Sequence, residues 1–535
     1  MRRVPRWILV FSFLWLTLAL AACSGSQNGD DHDGNNVDAD GDAGAGDEQQ
    51  PKTLTWSTNV EVDLEQAGSQ LRLAAMPDGQ NFAVAYFKNL HCEADGDCPI
   101  ASMSCTYNAC VGECSTPILG GPPTEVLQDQ VRYAWSAGDT WQHEDVATVA
   151  SVMQTGISIA FDGDTPLIAY LGGTPAGGLQ VCGGTDAMVA RRNGPGSWTE
   201  QTAVATSGQA AAGADCPKMQ NICDFGDVVG LWSCLAKAPD GTIGLVYRDI
   251  HNGYTKEASD SSDLEYAFSS GGGWGNEWID LARGAASFPS LAFGPDNQPA
   301  VAYYTGKYGM INFATHPWAD YTEPKACTTN DDCELGQTCS SNFCTCVTDS
   351  NCPAPRQCIG NRCSAVIDKI DGLPENSISL AIGQDGRYLV AYFDAEEKNL
   401  MIAHSTDGLS WTKGLVDSRE STGMYPSIVV DPQTGQPGIA YYRCSDYSPG
   451  DLQCNRNQDA LLYTYFTGSY PDELTAQAKW KKSIVSEDSN AFDGMQASAA
   501  VLPDGRIGIA YHFTWFDTAA GVTRLNLMFK LGTWE

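Results

Sequence analysis

The residues best placed for chemistry occupy one repeated register. Seven runs of small and apolar residues each end in a tyrosine, at Tyr86, Tyr170, Tyr247, Tyr303, Tyr392, Tyr441 and Tyr511. The second residue beyond each tyrosine varies: Lys88, Gly172, Asp249, Thr305, Asp394, Arg443 and Phe513. A packing position calls for sameness, whereas recognition tolerates difference. Lys88, Arg248, Asp249, Asp394 and Arg443 are therefore the candidate ligand contacts. Carboxylates such as Asp249 and Asp394, set across a channel, are also the kind of pair that acid–base cleavage of a glycosidic bond requires. The tyrosines themselves read as packing residues whose hydroxyls find partners. No His-Glu-x-x-His and no Gly-x-Ser-x-Gly occurs, which excludes zinc-peptidase and α/β-hydrolase chemistry. No catalytic residue is assigned, and neither a metal nor a cofactor is expected.

The cysteines follow a second pattern. Cys327, Cys333, Cys339 and Cys344 have five, five and four residues between them, and Cys346, Cys352, Cys358 and Cys363 repeat that spacing. Cys92, Cys98, Cys105 and Cys110 give five, six and four. The frame resembles small Cys-rich modules of lipoproteins from myxobacteria-like bacteria. In an exported chain without any Cys-x-x-Cys pair, such groups read as disulfide staples rather than zinc ligands. Four cysteines allow three pairings, and the sequence does not choose among them. Cys444 and Cys454 are expected to tie one loop. Cys114, Cys182, Cys216, Cys223 and Cys234 are an odd remainder, so one thiol is free or a pairing crosses groups.

The elements that must position these side chains form a repeat. In each unit a small residue opens an apolar strand, a Gly/Asp turn follows, the tyrosine-ended strand returns, and two further strands complete it, as in Ser379–Ser427. Short β-branched and aromatic strands without helical periodicity predict antiparallel four-stranded blades, which must stack around an axis to cover both faces. The turn Ser405-Thr406-Asp407-Gly408-Leu409-Ser410-Trp411 resembles the Asp-box of sialidase-like propellers, one residue short of that pattern. The expected fold is all-β, a seven-bladed β-propeller over 51–535, with Cys-rich inserts at 91–114 and 327–363. The last unit stops near Trp534 where its fourth strand should begin, and the segment 52–64 reads as that strand, closing the ring. The residues aligned at the start of the inner strands, Arg72, Ser158, Cys234, Ser290, Ser379, Ser427 and Ser498, read as a ring of small residues in a crowded channel mouth.

Two functions are open, and the resemblance implies only the first. A sialidase-like glycoside hydrolase or lyase needs an arginine triad and a tyrosine nucleophile backed by a glutamate. Arg72, Arg248 and Arg443 are available, but the arginine-containing opening motif of that family is missing. A binding module for a protein or glycan fits the long insertions that follow five of the seven tyrosines on one face. A structural envelope protein is a third reading.

The N-terminus supplies the address. Arg2, Arg3 and Arg6 precede an apolar run, and Leu20-Ala21-Ala22-Cys23 resembles a bacterial lipobox, which implies a signal peptide over 1–22 and acylation of Cys23. Ser24 after the cysteine implies outer-membrane sorting on the periplasmic or outer side. Residues 23–50 are polar and acidic, a disordered spacer by composition. With 31 basic and 65 acidic residues, the formal charge of −34 argues against nucleic acid or anionic lipid as a partner, and a monomer is expected.

Overall fold

The structure is a computed structural model. It describes residues 53–64, 67–89, 104–106, 109–114, 124–138, 140–151, 156–173, 185–205, 228–250, 262–280, 287–318, 327–333, 338–340, 343–352, 354–359, 362–370, 377–419, 421–445, 454–455, 458–518 and 522–535. The expected signal peptide, Cys23 and the acidic spacer lie outside them, as do Cys92 and Cys98. The side chains of Cys105 and Cys110 are not described either.

The chain from Thr53 onward is all-β, a seven-bladed propeller of four-stranded antiparallel sheets. The inner strands of blades one to seven are Ala67–Ala75, Ile157–Asp162, Val228–Lys237, Ser287–Phe293, Ile378–Ile382, Thr422–Val430 and Ala491–Val501. Each touches the next, and the last touches the first, so they enclose an axis. The tyrosine-ended strands come second, for example Phe82–Asn89 and Ile243–Ile250. Sandwiched between neighbouring blades, these strands are covered on both faces, which is why they read as unbroken small and apolar runs. Ala83, Val84, Ala85 and Tyr86 have no exposed surface. The Gly/Asp turns are built by side chains: Asp78, Asp240, Asp296, Asp385 and Asp504 each accept the N–H two residues on.

Two sets of hydrogen bonds join the blades. An inner strand is a sheet edge whose outward N–H groups lack a ladder partner. Ser158, Ser290, Ser379, Ser427 and Ser498 supply the acceptor. Each hydroxyl receives the N–H of the following blade, from Leu235, Leu380, Ile428, Ala499 and Leu73 in turn, at 2.7–3.1 Å. The thiol of Cys234, buried and free, stands 3.5 Å from Leu291 N in the same role. Arg72 alone breaks the series, because a guanidinium cannot accept. Farther out, Tyr86, Tyr303, Tyr392 and Tyr441 each donate to a carboxylate on the outer strand of the preceding blade: Asp63, Asp280, Asp368 and Asp417, at 2.6–2.8 Å. Tyr511 contacts Ser486 and Asn59 instead. Tyr170 and Tyr247 reach Glu200 and Glu265 within their own blades.

The seam lies in blade seven. Its third strand, Val522–Trp534, pairs with Leu54–Trp56 and with Val60–Asp63. Thr53 and Glu535 exchange backbone hydrogen bonds of 2.9 Å. Trp56 anchors the junction, donating from Nε1 to Ser483 at 2.9 Å and meeting Tyr463 edge to face. Because strands alternate in direction, the chain enters at Thr53 on the face carrying the turns between first and second strands. The opposite face, here the loop face, carries the connections between second and third strands and between blades.

In the tandem insert the first cysteine of each module pairs with the third and the second with the fourth: Cys327–Cys339, Cys333–Cys344, Cys346–Cys358 and Cys352–Cys363. Both modules sit between Met310–Thr315 and Val366–Lys369, the third and fourth strands of blade four, hence on the face of chain entry. Cys444–Cys454 closes a loop on the other face. A hairpin of the first insert, Ser104–Thr106 with Ala109–Cys114, extends blade one by pairing with Thr124–Leu127.

Candidate functional site

At the loop-face end of the inner strands the ladder is interrupted in five blades, between Ala67 and Leu71 in blade one and just before the ring residue in four others. Register shifts occur between Leu231 and Cys234, Ser287 and Ser290, Met424 and Ser427, and Met495 and Ser498. Each of these four bulges holds one non-glycine residue in left-handed backbone: Trp232, Phe288, Tyr425 and Gln496, with φ of 52°, 55°, 52° and 53°. This conformation is strained for bulky side chains, and bulges of this kind re-aim side chains where strands meet a mouth. Gly156 is the equivalent in blade two. Its φ is 65°, and a Cβ there would meet Trp232 Cα at 2.5 Å, so the strands at the mouth approach backbone to backbone.

Two of the aromatic bulge residues, Trp232 and Phe288, are half-buried at the mouth, whereas Tyr425 is buried in the core. Trp232 and Phe288 meet edge to face at 5.2 Å, Phe288 stacks on Tyr304 at 6.4 Å, and Tyr425 contacts Tyr442. Arg248 lies over Trp232 at 5.2 Å and donates to Ser262 and Ser287 at 2.9 and 3.3 Å, tying blade three to blade four. A partly buried guanidinium over an aromatic ring can hold a planar or hydroxyl-rich group by hydrogen bonds and stacking.

The other sequence candidates do not gather there. Lys88 is an ion-pair partner of Asp63 at 3.0 Å, sharing it with Arg132 and Tyr86 at the seam. Asp394 accepts the N–H groups of Glu396 and Glu397 and so builds its own turn. Arg443 donates from Nε to the carbonyl of Gln458 at 2.7 Å. Asp249 is next to Arg248 in sequence but on the opposite side of the strand, fully buried with Asp263 and Glu265. Burial, then the charge of Asp249, pushes the Glu265 carboxyl well above its usual range. Tyr247 donates to it at 2.5 Å and is itself fully buried. The aromatic bulge residues Trp232 and Phe288 were missed because their apolar types read as core. The usable signal was position: each stands two residues before the small residue of the ring.

No protein-family model matches the chain, and neither does any curated protein. Solved structures with a similar arrangement include a protein of unknown function from Dyadobacter fermentans, at 11% identity over 70% of this chain and 94% of that one, TM-score 0.39. NanB sialidase from Streptococcus pneumoniae gives 10% identity over 90% and 94%, TM-score 0.40. A GH43 β-1,3-galactosidase gives 14% identity over 70% and 93%, TM-score 0.31. The chain is a seven-bladed β-propeller with a stapled insert; what it does is argued from its own side chains.

Proposed function

We propose that the propeller is a binding module that presents its loop face to a glycan or protein, and that acylation of Cys23 holds it at a membrane. The observation that carries the reading is the aromatic pair at the mouth, where the half-buried Trp232 and Phe288 occupy left-handed backbone that is strained for bulky side chains. The test is a glycan array and an affinity-capture screen with the full chain. Trp232→Ala and Phe288→Ala together should weaken the recovered interaction roughly tenfold or more. Unchanged affinity in that variant overturns the reading. For the anchor, Cys23→Ala should abolish incorporation of a labelled fatty acid and release the protein from the membrane fraction.

A second reading, a sialidase-like hydrolase or lyase, draws on the short Tyr247–Glu265 contact with Asp249 beside it. The complete burial of all three weighs against it, because a catalytic group must reach substrate. Its test is release of dye from aryl glycosides by the parent and not by Glu265→Gln.

A further inference from the structure

We propose that blade seven carries a separate binding site, for a neutral saccharide, at the ring seam. The second strands of the other blades have seven or eight residues, whereas Ile507–Asp517 has eleven and pairs with Val522–Trp534 along its whole length. On the side of that hairpin facing blade six an open cavity of about 690 Å³ is lined by Asn59, Glu61, Phe513, Trp515, Asn526 and Met528. The volume falls within the range that holds a small ligand.

Register explains why these groups converge. Phe513 lies across from Asn526, Tyr511 across from Met528, and Met528 across from Glu61, so one face of the extended sheet carries them all. Phe513 and Trp515 are half-buried rather than covered. Phe513 is also the aromatic member of the variable set two residues beyond the tyrosines. Asn59 Oδ1 accepts from Tyr511 and Ser486, at 3.1 and 3.4 Å, which fixes its carboxamide and leaves Nδ2 as a donor. Glu61 is exposed, in no ion pair among the described residues, and acts only as an acceptor. Aromatic faces flanked by carboxamides and a lone acceptor suit a sugar ring, whose C–H face is apolar and whose hydroxyls both give and accept. Among the described residues no lysine or arginine lines the cavity, Arg524 across from Trp515 is paired with Asp517 at 3.3 Å, and the chain carries −34, so an anionic ligand is disfavoured.

The closing strand supplies Asn59 and Glu61 while the last hairpin supplies the rest, so an occupant bridges the two ends of the chain. The full chain in detergent is titrated calorimetrically with N,N′-diacetylchitobiose, cellotriose and maltotriose, and with 3′-sialyllactose and tetralysine as charged counterparts. At least one neutral sugar should bind, Trp515→Ala should weaken it roughly tenfold or more, and Trp515→Phe should retain most of the affinity. Saturating sugar should raise the melting temperature of the parent and not of Trp515→Ala. Trp232→Ala should leave this binding unchanged, which separates its failure from that of the loop-face reading. The proposal is overturned if no neutral sugar binds, if binding survives Trp515→Ala, or if the interaction lost in that variant is with sialyllactose or tetralysine.

Discussion

Asp493 is held against its own charge. It is 1% exposed, Ser486 donates to Oδ2 at 2.7 Å, and Oδ1 has no partner among the described residues. Burial, aided by nearby Asp488 and Glu487, raises its pKa to about 6. The folded chain therefore holds this proton between about pH 4 and 6 while the unfolded chain has lost it, and stability falls as pH rises through that window. Asp493→Asn removes the penalty. It should be more stable than the parent at pH 7.5 by roughly 2 kcal/mol, with the gain fading toward pH 4, as read by urea unfolding at both ends. A gain independent of pH would refute the assignment. His512, on the next strand, has the opposite sign: burial pushes it down to about 3, so the folded state loses stability as pH falls below the usual histidine range. Neither effect was legible in the sequence. Phe492-Asp493-Gly494 carries no mark of burial in its types; the burial comes from the packing of blade seven on blade six through Ser486 and Leu461.

At the scale of the strand, the repeat of tyrosines was legible because packing between blades imposes it, and their partners were legible in retrospect. Asp63, Asp280, Asp368 and Asp417 precede Tyr86, Tyr303, Tyr392 and Tyr441 by 23 or 24 residues, one outer strand to the next second strand. Asp417 shows what such a latch is worth. Burial raises its pKa, yet hydrogen bonds from Arg419, Lys482 and Tyr441 outweigh this and leave it lowered. Asp417→Ala should cost about 3–5 kcal/mol, because Lys482 and the fully buried Tyr441 then lose their shared partner. The serine bridges are smaller and more uniform. Ser427→Ala leaves the N–H of Ala499 without its acceptor and should cost about 1–2 kcal/mol in denaturant unfolding. Arg72→Ser should do the reverse, adding the missing bridge to blade two and gaining about 1 kcal/mol. Equal effects of the two substitutions would show that the ring residues act through size rather than hydrogen bonding.

At the scale of the molecule the ring has no obligatory beginning, and its one discontinuity is held by backbone pairing rather than by a covalent bond. The sequence showed that the last unit lacked an outer strand. It did not show that the replacement is split into Leu54–Trp56 and Val60–Asp63, because the intervening Ser57-Thr58-Asn59 follows the register shift of a long partner strand. If closure is what makes seven blades one cooperative unit, stability should depend on which ends are joined rather than on where the chain starts. Thr53 and Glu535 already exchange hydrogen bonds, so a short glycine–serine linker spans them. Gly271, Gly272 and Gly273 form an exposed hairpin tip in blade three, a site where new ends disturb no buried backbone. A permutant opened at Gly272 with the old ends linked should melt in one transition no lower than the parent. A chain truncated through Leu64 should lose that transition, because Trp56, Val62 and Asp63 leave the core and the last hairpin is exposed as an open edge. Identical melting of the truncated chain and the parent would mean that six complete blades carry the stability and that the seam is decoration.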